Sequence, residues 1–323
     1  MSTDAAGLYR LMAWLSPSYP VGAFTLSHGL EWVVEDGVVA DADRMVSWVG
    51  DVLAHGAGRQ DAILLAAAYR ARRTELSAAR VDPPGPDHSG DGVPAADPVS
   101  AHSGDVGTAI DPIAAHSRSG DPGYPPPSAH SRESGNPGPH DGPLHNSPWI
   151  PAFAGMSGGN GKGGVPVADS DQKAEAAPSL AEIIELAAAL NPSLERRTET
   201  LSQGDAFRKI SADAWPASLP WPDGPLAYPV AVAIAAADHR VDLAAVLVAY
   251  LHAFAANIVS AGVRLIPLGQ TDGQRAIVRL EPAIAALAEE AAGSTLDDLG
   301  GCALLADIAS MRHETQYTRL FRT

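Results

Sequence analysis

Leu243-Ala-Ala-Val-Leu-Val-Ala-Tyr-Leu-His-Ala-Phe-Ala-Ala-Asn-Ile-Val-Ser-Ala-Gly-Val263 decides the fold. The stretch is mostly apolar and long enough to cross a membrane. It also carries His252, Asn257 and Ser260, and it is rich in alanine rather than leucine. Lipid insertion penalises polar side chains and favours the larger aliphatic ones. A helix that is apolar nearly all round, yet polar in places, reads as the central helix of a bundle.

The composition agrees. Apolar residues make up 46% of the 323, aromatics only 6%, and alanine is abundant. Alanine is the best helix former, so the chain leans towards an all-α fold. The formal charge is −16, which disfavours nucleic acid and anionic membrane as partners, since both select basic surfaces. Cys302 is the single cysteine. It excludes an internal disulfide and a multi-thiolate zinc site, and reads as a small buried residue of a reducing, cytoplasmic compartment. Tyr9-Arg-Leu-Met-Ala-Trp-Leu15 lacks the basic start and cleavage site of a signal peptide.

Three zones follow along the chain. Residues 1–80 read as helices broken at Ser16-Pro-Ser-Tyr-Pro-Val-Gly22, where prolines remove donors. Phe24 to Glu35 resumes the helix. Asp41 caps another with a stripe through Met45, Val49 and Leu53, and Asp61 to Arg73 continues past Gly56-Ala-Gly58. Residues 179–323 return to helix. Ser179-Leu-Ala-Glu182 forms a capping box, Asn191-Pro192 ends that helix, and Ser193 starts the next. After a proline-rich connection from Pro216 to Pro229, helices are expected at about 229–237, 242–263, 270–291 and 296–312. Strict alternation is absent, so no sheet is expected.

Between these zones, residues 81–178 are dense in Pro, Gly, Ser, Asp and His. His-Ser recurs at His88, His102, His116 and His130 without any apolar period. Such a composition buries too little to offset chain entropy, so the segment is expected to be a disordered insert. Histidines spaced this way along a flexible chain are not held together as metal ligands. Its distal part, from His130 to Met156, resembles the translated product of a dispersed bacterial genomic repeat. The expected organisation is thus one helical domain interrupted by a long insert.

The chain ends on Met311-Arg-His-Glu-Thr-Gln-Tyr-Thr-Arg-Leu-Phe-Arg-Thr323. Ends are usually small and polar, whereas this one mixes aromatics and arginines, the residue types that anchor interfaces. It is expected to dock on its own body or on a partner. Chemistry is weaker elsewhere. Ser27 and His28 adjoin, but neighbours on a helix point about 100° apart and do not face each other. Arg264-Leu-Ile-Pro-Leu-Gly-Gln-Thr-Asp-Gly-Gln274 is rich in turn residues, yet it lacks the lysine of a phosphate loop. Gln270 and Gln274 lie one turn apart and suit a polar surface or passage. Gly22, Gly29 and Gly269 read as structural. His28, His55, His239, His252 and His313 form no His-x-x-x-His pair, so neither a metal centre nor a cofactor is expected.

Read together, three segments resemble one family. Pro20-Val-Gly-Ala-Phe24 with Ser27-His-Gly-Leu-Glu31, Ile266-Pro-Leu-Gly-Gln-Thr-Asp-Gly-Gln274 and Asp307 to Phe321 are similar to the UreF family of urease accessory proteins. The resemblance covers residues 7–80 and 179–323. Segment 81–178 departs from the family, which has a short connection there. The resemblance implies an all-α, non-catalytic protein that dimerises, binds UreD (also called UreH), recruits the GTPase UreG, and supports nickel delivery to apo-urease. It assigns the partner-ordered tail to His313, Glu314, Tyr317, Arg319, Leu320 and Phe321. It places Ser27, His28 and Glu31 towards the GTPase-facing surface, with Gln270 and Gln274 as candidates for a functional polar surface. The rival readings are an α-helical hydrolase using His28 or His313 as base, and a metallochaperone that binds nickel through its own histidines.

Overall fold

The computed structural model describes residues 4–81 and 177–323. The insert expected at 81–178, with its histidine-serine repeat, lies outside the described residues apart from its boundary positions. The two described stretches pack into one unit. The first supplies α1 (Ala5–Trp14), α2 (Leu30–Glu35), α3 (Ala42–His55) and α4 (Ala57–Val81). The second supplies α5 (Leu180–Ala189), α6 (Leu194–Ala214), α7 (Tyr228–Asp238), α8 (Leu243–Leu265), α9 (Gln270–Gly293) and α10 (Leu304–His313). Among the described residues there is no strand, and the fold is all-α.

Local chemistry sets most of the boundaries. Asp41 accepts from the Arg44 N–H at 2.8 Å and starts α3. Ser179 and Glu182 form a reciprocal capping box at α5, and Ser193 and Asp242 cap α6 and α8 with their side chains. Each such cap satisfies an N–H that the helix itself leaves unbonded.

The core is built around α7, which buries every residue from Pro229 to Asp238. It packs between α4 and α6, while α8 packs on α9 and α3 also rests on α9. A helix enclosed on all sides suits an apolar sequence with small side chains, because alanines let neighbours approach closely. Among the described residues, α8 is the helix long and apolar enough to cross a membrane. Here one face is core, with Val246, Leu247, Tyr250, Leu251, Phe254, Ile258 and Val259 buried. His252 and Ser260 are exposed on the opposite side, and Asn257 is half-buried. Arg72 of α4 bonds Asp238 at the end of α7 through both carboxylate oxygens (3.0 and 3.2 Å), and also reaches the Leu219 and Pro220 carbonyls.

Three expectations need correction. Phe24 to Glu35 is not one helix. A 3-10 turn at Ala23–Thr25 is followed by extended Leu26, and the chain then turns through His28 at φ 54° and Gly29 at φ 75° before α2 begins. Residues 296–312 are likewise divided. A 3-10 turn at Leu296–Asp298 is separated from α10 by Gly300 and Gly301, both at positive φ, where a helix cannot continue. Cys302 is exposed rather than buried, and its Sγ lies 3.7 Å from Asp307.

Candidate functional site: a buried charge cluster under the C-terminal tail

The site begins with the turn before α2. Two successive residues in the left-handed region reverse the chain so sharply that α2 can lie against α10. Gly29 makes this possible twice over. Its φ is one that side chains disfavour, and a Cβ there would come within 2.7 Å of the Ser310 backbone nitrogen on α10. Gly22 also turns the chain at φ 78°, whereas Gly269 has ordinary extended backbone and precedes α9. The turn leaves Ser27 and His28 buried and points Glu31, in the first turn of α2, inward.

Glu31 receives the tail. Its carboxylate accepts from the backbone N–H of Leu320 at 2.5 Å and of Phe321 at 2.9 Å. His313, fully buried at the end of α10, places Nε2 3.0 Å from Glu31 and Nδ1 2.8 Å from Glu195 on α6. Arg319 donates to the other Glu195 oxygen at 3.0 Å. The last residues pair with the turn: the Arg322 N–H donates to the Thr25 carbonyl at 2.8 Å, and the Ser27 N–H to the Thr323 oxygen at 2.6 Å. The Thr323 hydroxyl donates to Glu199 at 2.6 Å. Phe321 is 3% exposed, and the Arg264 guanidinium of α8 lies between its ring (4.3 Å) and that of Phe24 (3.8 Å), a cation–π arrangement. The Ser27 hydroxyl is buried without a hydrogen-bond partner.

A second ion cluster lies beside the first. Arg196 and Glu199, both on α6, pair with each other, and both contact the His28 ring. Burial lowers the His28 pKa more than Glu199 raises it, so the imidazole is neutral at pH 7 and Arg196 carries the cation. Burial alone would raise the Glu199 pKa. The charges and hydrogen bonds around it prevail and hold its carboxyl well below the usual range. For His313, burial opposes the charge, but the hydrogen bonds to Glu195 and Glu31 together outweigh it, and the pKa is raised. Asp61 on α4 accepts from the Tyr250 hydroxyl at 2.8 Å, and burial pushes its pKa up to about 6. Asp61, Arg196, His28, Tyr228 and Tyr250 line a cavity of about 170 Å³ bounded by α8 and the 15–24 segment.

Residues 166–281 match the family model described as UreF. The chain is 38% identical to the urease accessory protein UreF of Rhodopseudomonas palustris strain HaA2, covering 99% of this chain and 95% of that protein. It is 37% identical to the urease accessory protein UreF of Bradyrhizobium diazoefficiens strain USDA 110, over 99% and 93% respectively. This chain belongs to the UreF family. It is an accessory protein of urease maturation and not itself a catalyst.

Within this UreF chain, the residues singled out in the sequence fall into two groups. Ser27, His28, Glu31, His313 and Phe321 are buried in the two adjoining clusters, and Arg319, itself exposed, bonds Glu195 at their edge. Tyr317 and Leu320 point outward, 103% and 67% exposed, and Glu314 accepts from the Leu194 N–H at the start of α6. Gln270 and Gln274 are exposed on the first turn of α9 and stand apart from the cluster. The Ser27 and His28 side chains share no hydrogen bond, and the His28 ring is already engaged with Arg196 and Glu199, which leaves no nucleophile–base pair. Among the described residues, no group of three His, Cys, Asp or Glu side chains is arranged to hold a metal ion. Sequence reading missed Glu195, Arg196 and Glu199. Residues 195–199 hold four charged side chains in five positions, and three of them, Glu195, Arg196 and Glu199, are under 10% exposed. The available signal was Ser193, an N-cap that sets their phase.

Proposed function

We propose that this chain is the scaffold subunit of a urease activation assembly, joining UreD (also called UreH) and the GTPase UreG on apo-urease to support GTP-dependent nickel insertion in the cytoplasm. In this reading the C-terminal tail is the UreD-docking element. One observation carries it: the tail is fastened to the body through its backbone, Phe321, Arg319 and His313, while Tyr317 and Leu320 remain exposed. The preceding helix α10 also exposes Leu304, Ile308 and Met311, spaced to lie along one helix face. Contiguous exposed apolar surface of this kind marks interaction sites. Tyr317 and Leu320 are then the contact side chains, and His313, Glu314, Arg319 and Phe321 position them. A homodimer is part of the same reading. Leu8, Met12 and Val248 form an exposed apolar groove between α1 and α8. Ser27, His28 and Glu31 act by supporting the turn under the tail, and Gln270 and Gln274 are left as surface available to the assembly.

The test is co-purification with UreD and UreG. Removing residues 311–323 would also remove His313 from the interior, so point substitutions separate docking from folding. Full-strength UreD binding by a Tyr317→Ala, Leu320→Ala double variant would refute the assignment.

A further inference from the structure

His313 stands between two carboxylates in a site closed to solvent. A neutral imidazole has one N–H and serves only one acceptor, so its other nitrogen would present a lone pair to a carboxylate oxygen. Only the imidazolium donates to both. The same carboxylates hold the tail, since Glu31 accepts from the Leu320 and Phe321 N–H groups and Glu195 accepts from Arg319. We propose that His313 is a proton-operated latch on the C-terminal tail: the imidazolium holds Glu31 and Glu195 in the positions that seat residues 319–323, and loss of its proton frees them.

Charged groups face this site from every packed element. On α2 these are Glu31 and, further out, Glu35, which accepts from Gln316. On α6 they are Glu195 and the Arg196–Glu199 pair. On α10 itself, Arg312 is exposed and Glu314 is engaged with Leu194. The tail brings Arg319 and Arg322, α8 brings Arg264 across the Phe321 ring, and the turn brings His28, neutral through burial. With His313 protonated, the buried Glu31, Glu195 and His313 are balanced by Arg319, which reaches Glu195 from the exposed side. Deprotonation leaves the group with one uncompensated negative charge, and uncompensated charge is strongly disfavoured in a buried site. The direction is set by the raised pKa. Below about 6.5 the latch is closed, and it opens as pH rises through the higher folded-state value. Its bearing on partner binding rests on the docking role proposed above, because the latch would set how much of the population has its tail seated.

Hydrogen exchange at the Leu320 and Phe321 amides of the full chain, without partners, tests this between pH 6 and 9. Rates are corrected for the intrinsic effect of base. Protection is expected to fall through a one-proton step centred above 6.5, the direction that the hydrogen bonds to Glu195 and Glu31 set. Glu195→Gln, which keeps the shape and removes one charge, should move the step to lower pH, and His313→Gln should abolish it. Wild-type protection with no step, or a step that Glu195→Gln leaves in place, overturns the latch. If His313→Gln fails to fold, the wild type and Glu195→Gln still decide. With no partner present, failure here leaves the docking role standing. Failure of Tyr317→Ala and Leu320→Ala to weaken the complex would likewise leave the latch standing.

Discussion

Gly29 and Glu31 show how single residues hold this site. Gly29 sits in the left-handed region with a backbone nitrogen of α10 2.7 Å from where a Cβ would be. An alanine there meets the left-handed penalty of about 1–2 kcal/mol and an overpacking cost of about 1–3 kcal/mol. Gly29→Ala should therefore lower unfolding stability by about 2 kcal/mol or more in urea titration, with a matching fall in Tm. Glu31 acts differently, because it is the common acceptor for His313 and two tail amides. Glu31→Ala leaves a buried imidazolium with one partner fewer, and removing one member of a buried ion pair costs about 3–5 kcal/mol. The same titration should place Glu31→Ala below Gly29→Ala.

Among the elements, the tail divides its labour between side chains that fasten and side chains that are displayed. Tyr317→Ala and Leu320→Ala alter exposed positions, so unfolding stability should change by no more than about 0.5 kcal/mol. Aromatic hot spots cost about 2 kcal/mol or more when truncated, so under the proposed docking role Tyr317→Ala should weaken UreD binding roughly thirtyfold in a calorimetric titration. Phe321→Ala should behave otherwise. The tail is a local unit that can detach without global unfolding, so its amides should exchange faster while the main unfolding transition hardly moves. Much of the helical layout was legible in advance, because caps such as Asp41, Ser179 and Ser193 act within three or four residues of themselves. The turn at His28–Gly29 and the break at Gly300–Gly301 were less so. Residues 24–35 and 296–312 both read as helix in pattern, and the left-handed backbone that divides each of them is set by contacts with distant chain, Gly29 with Ser310 and Gly301 with His55. The three-residue charge cluster of α6 was hidden for the same reason, since its partners lie more than a hundred residues away at either end.

At the scale of the whole molecule, several titrations point to one pH optimum. Glu199 has a lowered pKa, so its contribution is complete above the ordinary value of 4.5 and fades as pH falls through the folded one. Asp61 is raised from 3.8 to about 6, so the folded state holds its proton more tightly and stability declines as pH climbs through that interval. The His313 contribution is complete below 6.5 and is lost as pH rises further. The net charge of −16 acts in the same direction on the alkaline side, because repulsion among acidic groups grows away from the isoelectric point near 5.0. Thermal stability should therefore peak near pH 4.5, where Glu199 is ionised and Asp61 still largely keeps its proton, and decline steadily towards pH 9. A series of melting curves across pH 4–9 measures this. Asp61→Asn keeps an acceptor for the Tyr250 hydroxyl and removes the buried charge, so it should raise Tm at pH 7.5 and flatten the decline between pH 4 and 6, while leaving the later loss above pH 6.5 intact. An Asp61→Asn profile that merely runs parallel to the wild type would show that the buried carboxylate is not what tilts the curve.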